Sequence, residues 1–202
     1  MVVEDAMSSS LSTFAQEIRD SEHWLSPAGL LAELDVRPGM TVGEIGAGIA
    51  FYTLPIGRRV GPAGRVSAVE WRPWLIDELR ARLSSPSAPE NVDLVVGRPA
   101  DTHLAAASCD LVIFADIWHE LENRDAALDE CRRILRPEGR LAILNWRPEA
   151  LCPPGPPIEH RASMRSTLCS VEMKSWALVK GVTVGLDGYL LVLEIADESV
   201  QS

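Results

Sequence analysis

Short runs of branched apolar residues alternate along this chain with segments whose apolar positions recur every three or four residues. The runs Thr41–Ile45, Arg65–Val69, Val92–Val96, Asp110–Ala115 and Arg140–Trp146 show little polar alternation, the pattern of strands covered on both faces of a parallel sheet. Between them lie helical segments at Phe51–Val60, Pro73–Leu83 and Asn123–Leu135; Leu75, Leu79 and Leu83 share one face of the second. Turns at Arg37-Pro38-Gly39, Gly61-Pro62-Ala63-Gly64 and Arg136-Pro137-Glu138-Gly139 punctuate the elements. This alternation predicts an α/β chain with right-handed crossovers and an open, doubly wound, Rossmann-like sheet.

Two further helices are expected before the alternation begins. One centres on Leu11, Phe14, Ile18 and Trp24; the other opens at Ser26-Pro27 and runs through Leu30, Leu31 and Leu34. Beyond Trp146, the stretch Pro148–Pro157 carries five prolines and reads as a loop over the site. A helix at Leu168–Ala177 follows, then two apolar runs, Leu178–Val184 and Tyr189–Ile195, joined by Leu186-Asp187-Gly188. The Asp-Gly pair predicts a hairpin, so the sheet is expected to be mostly parallel with an antiparallel C-terminal hairpin. At 202 residues the chain has material for one substantial core. Residues 1–25 read as a lead-in with a helix, and 26–202 as one domain.

Composition narrows the partners. Forty-seven per cent apolar residues exclude wholesale disorder, and a net charge of -10 repels nucleic acid and anionic membranes. A small-molecule substrate is expected, with no nucleic-acid and no membrane partner. The first residues lack a basic segment followed by an apolar core, and no apolar run approaches spanning length, so a cytoplasmic location is expected. Cys109, Cys131, Cys152 and Cys169 show no zinc-type spacing and read as reduced thiols. Oligomeric state is not encoded in any of these patterns.

Candidate chemistry concentrates in Thr41-Val42-Gly43-Glu44-Ile45-Gly46-Ala47-Gly48-Ile49-Ala50, where a strand meets an acid, two glycines and a helix. Glycines at such a turn let a ligand approach bare backbone, and amides at the helix start offer donors. A dinucleotide fingerprint needs a third glycine at position 51, which is Phe51, and a phosphate-binding Walker loop needs a lysine that is absent. Glu70 ends the second strand about 20 residues beyond the glycines, where one carboxylate can accept both hydroxyls of a ribose.

The stretch Glu44–Ala50 resembles the first motif of the class I S-adenosylmethionine-dependent methyltransferases, acid-x-Gly-x-Gly-x-Gly, with Ala50 in place of the last glycine. The likeness extends through Glu70, Gly97–Asp101, Asp110–Ile113, Ile134–Leu141 and the terminal hairpin. It implies S-adenosylmethionine as cofactor and methyl transfer to a small-molecule acceptor. Glu44, Gly46, Ala47, Gly48, Glu70, Trp71, Asp101 and Asp116 are then the cofactor-binding candidates: Glu44 for the methionine portion, Glu70 for the ribose, and Asp101 either near the adenine or simply solvated. Ala50 is expected to add a methyl group close to the ligand.

His119 follows the fourth strand, where open α/β sheets bind ligands. It reads either as a base toward the acceptor or as a packing histidine. His160, in Gly155-Pro156-Pro157-Ile158-Glu159-His160-Arg161, resembles a segment of some small family members; it faces the acceptor with Arg161 or belongs to a solvated loop. Asp116 and Asn145 are too few for magnesium, so no metal is expected, and the cysteines do not match the arsenite methyltransferase pattern. Two alternatives stay open: a non-catalytic S-adenosylmethionine-binding module, suggested by Ala50, Glu138 and Gly43 at positions where the family has other residues, and a nicotinamide oxidoreductase, disfavoured by Phe51.

Overall fold

The computed structural model describes residues 25–149 and 156–196. The expected helix around Leu11–Trp24 and the middle of the proline-rich loop lie outside the described residues.

Three of the five α-helices among the described residues start on a side-chain cap. Helix α1 (Pro27–Glu33) has Pro27 in its first turn, where no amide is needed, and the Ser26 side chain accepts the Gly29 amide at 3.1 Å. Strand β1 (Thr41–Ile45) leads to α2 (Thr53–Val60), β2 (Arg65–Glu70), α3 (Pro73–Leu83), β3 (Val92–Val96) and β4 (Cys109–Ala115). Asn123 caps α4 (Arg124–Ile134) by accepting the Ala126 amide at 3.0 Å, and β5 spans Leu135–Trp146. Ser163 caps α5 (Met164–Glu172), which precedes β6 (Trp176–Val184) and β7 (Gly188–Ile195).

The seven strands form one sheet in the order β3-β2-β1-β4-β5-β7-β6. The first five are parallel, and β7 inserts antiparallel between β5 and β6. The chain reverses its winding between β1 and β4, so their carboxyl ends open the crevice in which such sheets bind ligands. One face of the sheet packs Phe114, Trp118, Trp176 and Tyr189; the other packs Leu30, Ile56, Val66 and Trp146.

The expected α/β architecture and closing hairpin are present, with local shifts. Strand β5 begins at Leu135 instead of Arg140, because the Arg136–Gly139 turn is extended and shifts register against β4 between Cys109 and Leu111. A side chain at Gly139 would lie 3.0 Å from the Cys109 carbonyl. Helix α5 ends at Glu172 and Trp176 is already in β6, where its side chain enters the core beside Ile195. In the hairpin, the left-handed residue is Gly185 (φ 57°), and Gly188 pairs with Val184 as the first residue of β7. Edge strand β3 is only half-buried, unlike its central neighbours.

A buried carboxylate ties the loop after β3 to α4. Glu130 accepts the Thr102 amide at 2.9 Å and hydroxyl at 2.5 Å, and pairs with Arg133 at 2.7 Å. Burial raises its pKa, but the Arg133 and Thr102 hydrogen bonds outweigh that and bring it to about 2. Since the folded value lies below the unfolded one, this contribution is full at neutral pH and fades as pH falls from about 4.5 toward 2. Glu130→Gln is therefore expected to cost about 2 kcal/mol at pH 7. Its deficit in denaturant melts should shrink steadily below pH 4.

Candidate active site

At the carboxyl end of β1 the backbone turns left-handed three times, at Gly46 (φ 80°), Gly48 (φ 55°) and Ala50 (φ 63°). Gly46 has a second constraint, since a side chain there would lie 2.7 Å from Ile117 after β4. The amides of Gly46 and Ala47 donate to the Val69 carbonyl at 2.8 and 3.1 Å, which lays the loop across the end of β2.

Glu70 fastens the same loop. Its Oε2 accepts the Gly48 amide at 2.9 Å, and its Oε1 accepts the Trp71 and Arg72 amides at 2.9 Å each. The Arg72 guanidinium adds two bonds of 3.0 Å and reaches Glu120 at 2.9 Å. Burial alone would raise the Glu70 pKa; the Arg72 hydrogen bonds and charge prevail and hold it below the usual carboxylate range.

Glu44 and Asp116 show the opposite behaviour. Glu44, on β1 and 2% exposed, accepts the Thr53 hydroxyl at 2.5 Å. Burial pushes it up to about 8, against the Thr53 bond and with help from the Glu70 charge. Asp116, just past β4, is held left-handed at φ 58°. Its Oδ1 is buried and makes no well-formed hydrogen bond among the described residues. Burial brings it also to about 8, the Trp146 indole opposing and the Glu120 charge assisting.

These groups surround a cavity of about 220 Å³. Glu44, Gly46, Ala47, Gly48 and Asp116 line it, together with Phe51, Tyr52, Trp74, Ile117, Arg72 and Glu120. A second cavity of about 150 Å³, lined by Trp71, Arg98, Pro99, Ala100 and Leu121, shares Glu120 with the first. The Arg72–Glu120 ion pair stands where the two meet.

Five of the expected cofactor residues thus meet in one cavity; Glu70 secures its wall from beneath and Trp71 lines the neighbouring cavity. Asp101 lines neither. It is exposed, 3.5 Å from His103. His119 does not line the main cavity either: it packs behind Asp116, with Nδ1 3.8 Å from that carboxyl and 3.2 Å from Asn145 Oδ1. Burial lowers its pKa, partly offset by the Asn145 bond. His160 is exposed in the short turn Ile158–His160. Arg161 lies 5.4 Å from the Trp146 ring and donates to the Pro156 carbonyl.

The three departures from the family motif sit in different surroundings. Ala50 does not crowd the cavity; its methyl group packs with Ala47, Ala68 and Leu79, so what it costs is backbone strain. A methyl group at Gly43 would meet Cys109 at 3.4 Å and Leu104 at 3.5 Å, ordinary contacts, so space does not demand the glycine there. Glu138 is exposed on β5. Cys109 and Cys131 are buried thiols and Cys169 is exposed. Among the described residues no group of three or more His, Cys, Asp or Glu side chains is placed to hold a metal ion.

Sequence reading missed Arg72, Trp74 and Glu120. Arg72 was available as a cation two residues past the ribose-type acid, but its reach to Glu120 is a tertiary contact with no sequence period.

Strand order, crevice and glycine turn are those of the class I S-adenosylmethionine-dependent methyltransferases. The methyltransferase-domain model matches residues 43–143, half of the chain, and the chain belongs to that family. It is 31% identical over 120 residues to the carboxy-S-adenosyl-L-methionine synthase of Enterobacter sp. (strain 638), covering 59% of this chain and 49% of that one. It is 32% identical over 106 residues to the arsenite methyltransferase of Halobacterium salinarum, covering 52% and 27%. The chain therefore spans half or less of the length of these relatives. In fold it is similar to the crystal structure of a SAM-dependent methyltransferase from Aquifex aeolicus, with a TM-score of 0.83, 24% identity and coverage of 92% and 98%.

Glu44 yields a pH test. Its folded pKa exceeds the unfolded value of 4.5, so it detracts from stability increasingly as pH rises from about 4.5 toward 8. Glu44→Gln, which keeps the shape, is expected to be more stable than the parent by about 2 kcal/mol at pH 8. The two should converge near pH 4; equal melting temperatures at pH 8 would contradict a proton-holding Glu44.

Proposed function

We propose that this chain transfers a methyl group from S-adenosylmethionine to a small-molecule acceptor. The observation that carries the reading is the joining of Glu44, the Gly46–Gly48 backbone and Asp116 in one largely apolar cavity, over a Glu70 that anchors the loop. Bound there, the cofactor supplies a methyl group already activated by a sulfonium charge, so the protein's part is to orient and to exclude water.

The residues present suit such a ligand. Glu44 and Asp116 are acids without a committed cation at the cavity wall, which favours positively charged groups inside it. Phe51, Tyr52 and Trp74 offer aromatic surface to a sulfonium. Glu70 faces the ribose once Arg72 yields one of its bonds, and Trp71 with the Arg98–Ala100 segment receives the adenine in the second cavity. His119 and His160 remain candidates for the acceptor side, and Asp101 for the adenine edge.

The -10 charge supports a small acceptor over nucleic acid, and a cytoplasmic location belongs to the same proposal. No helix among the described residues is long and apolar enough to cross a membrane. The small-molecule character of the acceptor also draws on the arsenite methyltransferase likeness, but the buried Cys109 and Cys131 thiols do not favour arsenite itself. Phe51 lines the cavity where a dinucleotide fingerprint needs bare backbone, which speaks against nicotinamide.

Calorimetry with S-adenosylmethionine, S-adenosylhomocysteine and NAD(P) tests this. The first two are expected to bind, and Glu70→Ala should weaken both at least tenfold, about 1.4 kcal/mol. Failure of the intact chain to bind either, or unchanged binding by Glu70→Ala, would overturn the reading.

A further inference from the structure

Asp116 is built into the cavity wall more firmly than a cofactor contact requires. Its amide donates to the Leu144 carbonyl at 2.9 Å, joining it to β5, and its left-handed backbone fixes the direction of the side chain. That side chain lines the cavity among Phe51, Tyr52, Ala115 and Ile117, with Oδ1 buried and without a hydrogen bond of good geometry among the described residues, while the Trp146 indole acts on the carboxyl and His119 lies 3.8 Å away.

Charged neighbours approach Asp116 on several sides, and the Arg72 and Arg161 charges only partly offset its burial. Arg72, past β2, is bound to Glu70 and Glu120. Arg161 donates to Pro156 and covers Trp146. His119 is hydrogen-bonded to Asn145, and burial favours its neutral form. Glu120 after β4 is an acid whose charge opposes ionisation of Asp116, and Glu44 on β1 lines the same cavity. The His160 charge also lowers the His119 pKa. A carboxylate in such surroundings ionises when a cation is delivered to it.

We propose that Asp116 is the proton acceptor of the methyl-transfer site, and that its charge follows the charge at sulfur. This rests on the methyl-transfer reading above. Asp116 holds a proton in the free protein and releases it to solvent when a sulfonium enters. In the transfer, the acceptor's lone pair bonds to the methyl carbon, the carbon–sulfur pair stays on sulfur, and the acceptor's O–H or N–H proton moves to Asp116. Positive charge on sulfur and negative charge on the carboxyl disappear together, so the apolar cavity holds no uncompensated charge before or after the step. His119 is then a positioning residue behind the base.

S-adenosylmethionine and S-adenosylhomocysteine share every group except the charged methyl-bearing sulfur, so their comparison isolates this effect. The test is proton release on binding to the full chain at pH 7, measured by calorimetry in buffers of different ionisation enthalpy. S-adenosylmethionine is expected to release more protons than S-adenosylhomocysteine, by up to about one per site. The excess should vanish in Asp116→Asn. Equal release by the two ligands in the parent protein overturns the proposal without any variant, as does an excess that survives in Asp116→Asn. Absence of binding by either ligand is a different result, which removes the cofactor reading and this proposal with it.

Discussion

One carboxylate organises the ligand-binding end of the sheet. Glu70 has no exposed surface and accepts from the glycine turn, from two amides beyond its own strand, and from Arg72. Arg72 in turn reaches Glu120 past β4, so a single ionised group ties together the loops that leave β1, β2 and β4. A buried anion is tolerable only when nearly every lone pair is occupied, and that requirement dictates the geometry around it. The Gly48 amide is free to point at Glu70 because the backbone there is left-handed, a conformation that suits glycine.

Around that fixed charge, three acids adopt three environments. Glu70 is paired and stays ionised, Glu44 has one hydroxyl partner, and at Asp116 burial outweighs the Trp146 indole and the Arg72 and Arg161 charges. Separation of acid strengths by surroundings alone is how one cavity can bind a cation at one carboxyl and move a proton at another. Apart from these acids, Arg72 and Glu120, the cavity wall is apolar, and a low local dielectric preserves the difference between the groups.

The architecture was readable from the chain because β/α alternation is a repeated signal, and every parallel strand from β1 to β5 appears where an apolar run predicts it. The Asp187-Gly188 pair does mark the hairpin, in which Gly185 takes the left-handed position and Gly188 opens β7. Errors arose where one residue has two local meanings. Trp176 extends a helical apolar pattern, but its size favours the core beside β7. Within the site, motif spacing locates Glu44, the glycines and Glu70, since strand ends and turn geometry fix them. It does not reveal that His119 lies behind Asp116 or that Asp101 turns to solvent, because side-chain direction after a strand depends on packing between distant segments.

The antiparallel end of the sheet is joined to this chemistry through a buried polar chain. Asn145 on β5 is opposite Tyr189 on β7, and its amide nitrogen lies 3.4 Å from the phenol, which is 2.7 Å from the Thr167 hydroxyl on α5. The other end of the Asn145 amide meets His119. A histidine directly behind Asp116 is therefore oriented by residues from three later elements, none of which touches the cavity. Each of these groups is largely buried, so displacing one leaves its neighbour unpaired at a cost of about 1–3 kcal/mol. The C-terminal hairpin is thus more than a cover for the sheet: through Tyr189 and Asn145 it orients His119 beside Asp116, while Glu70 holds the glycine turn.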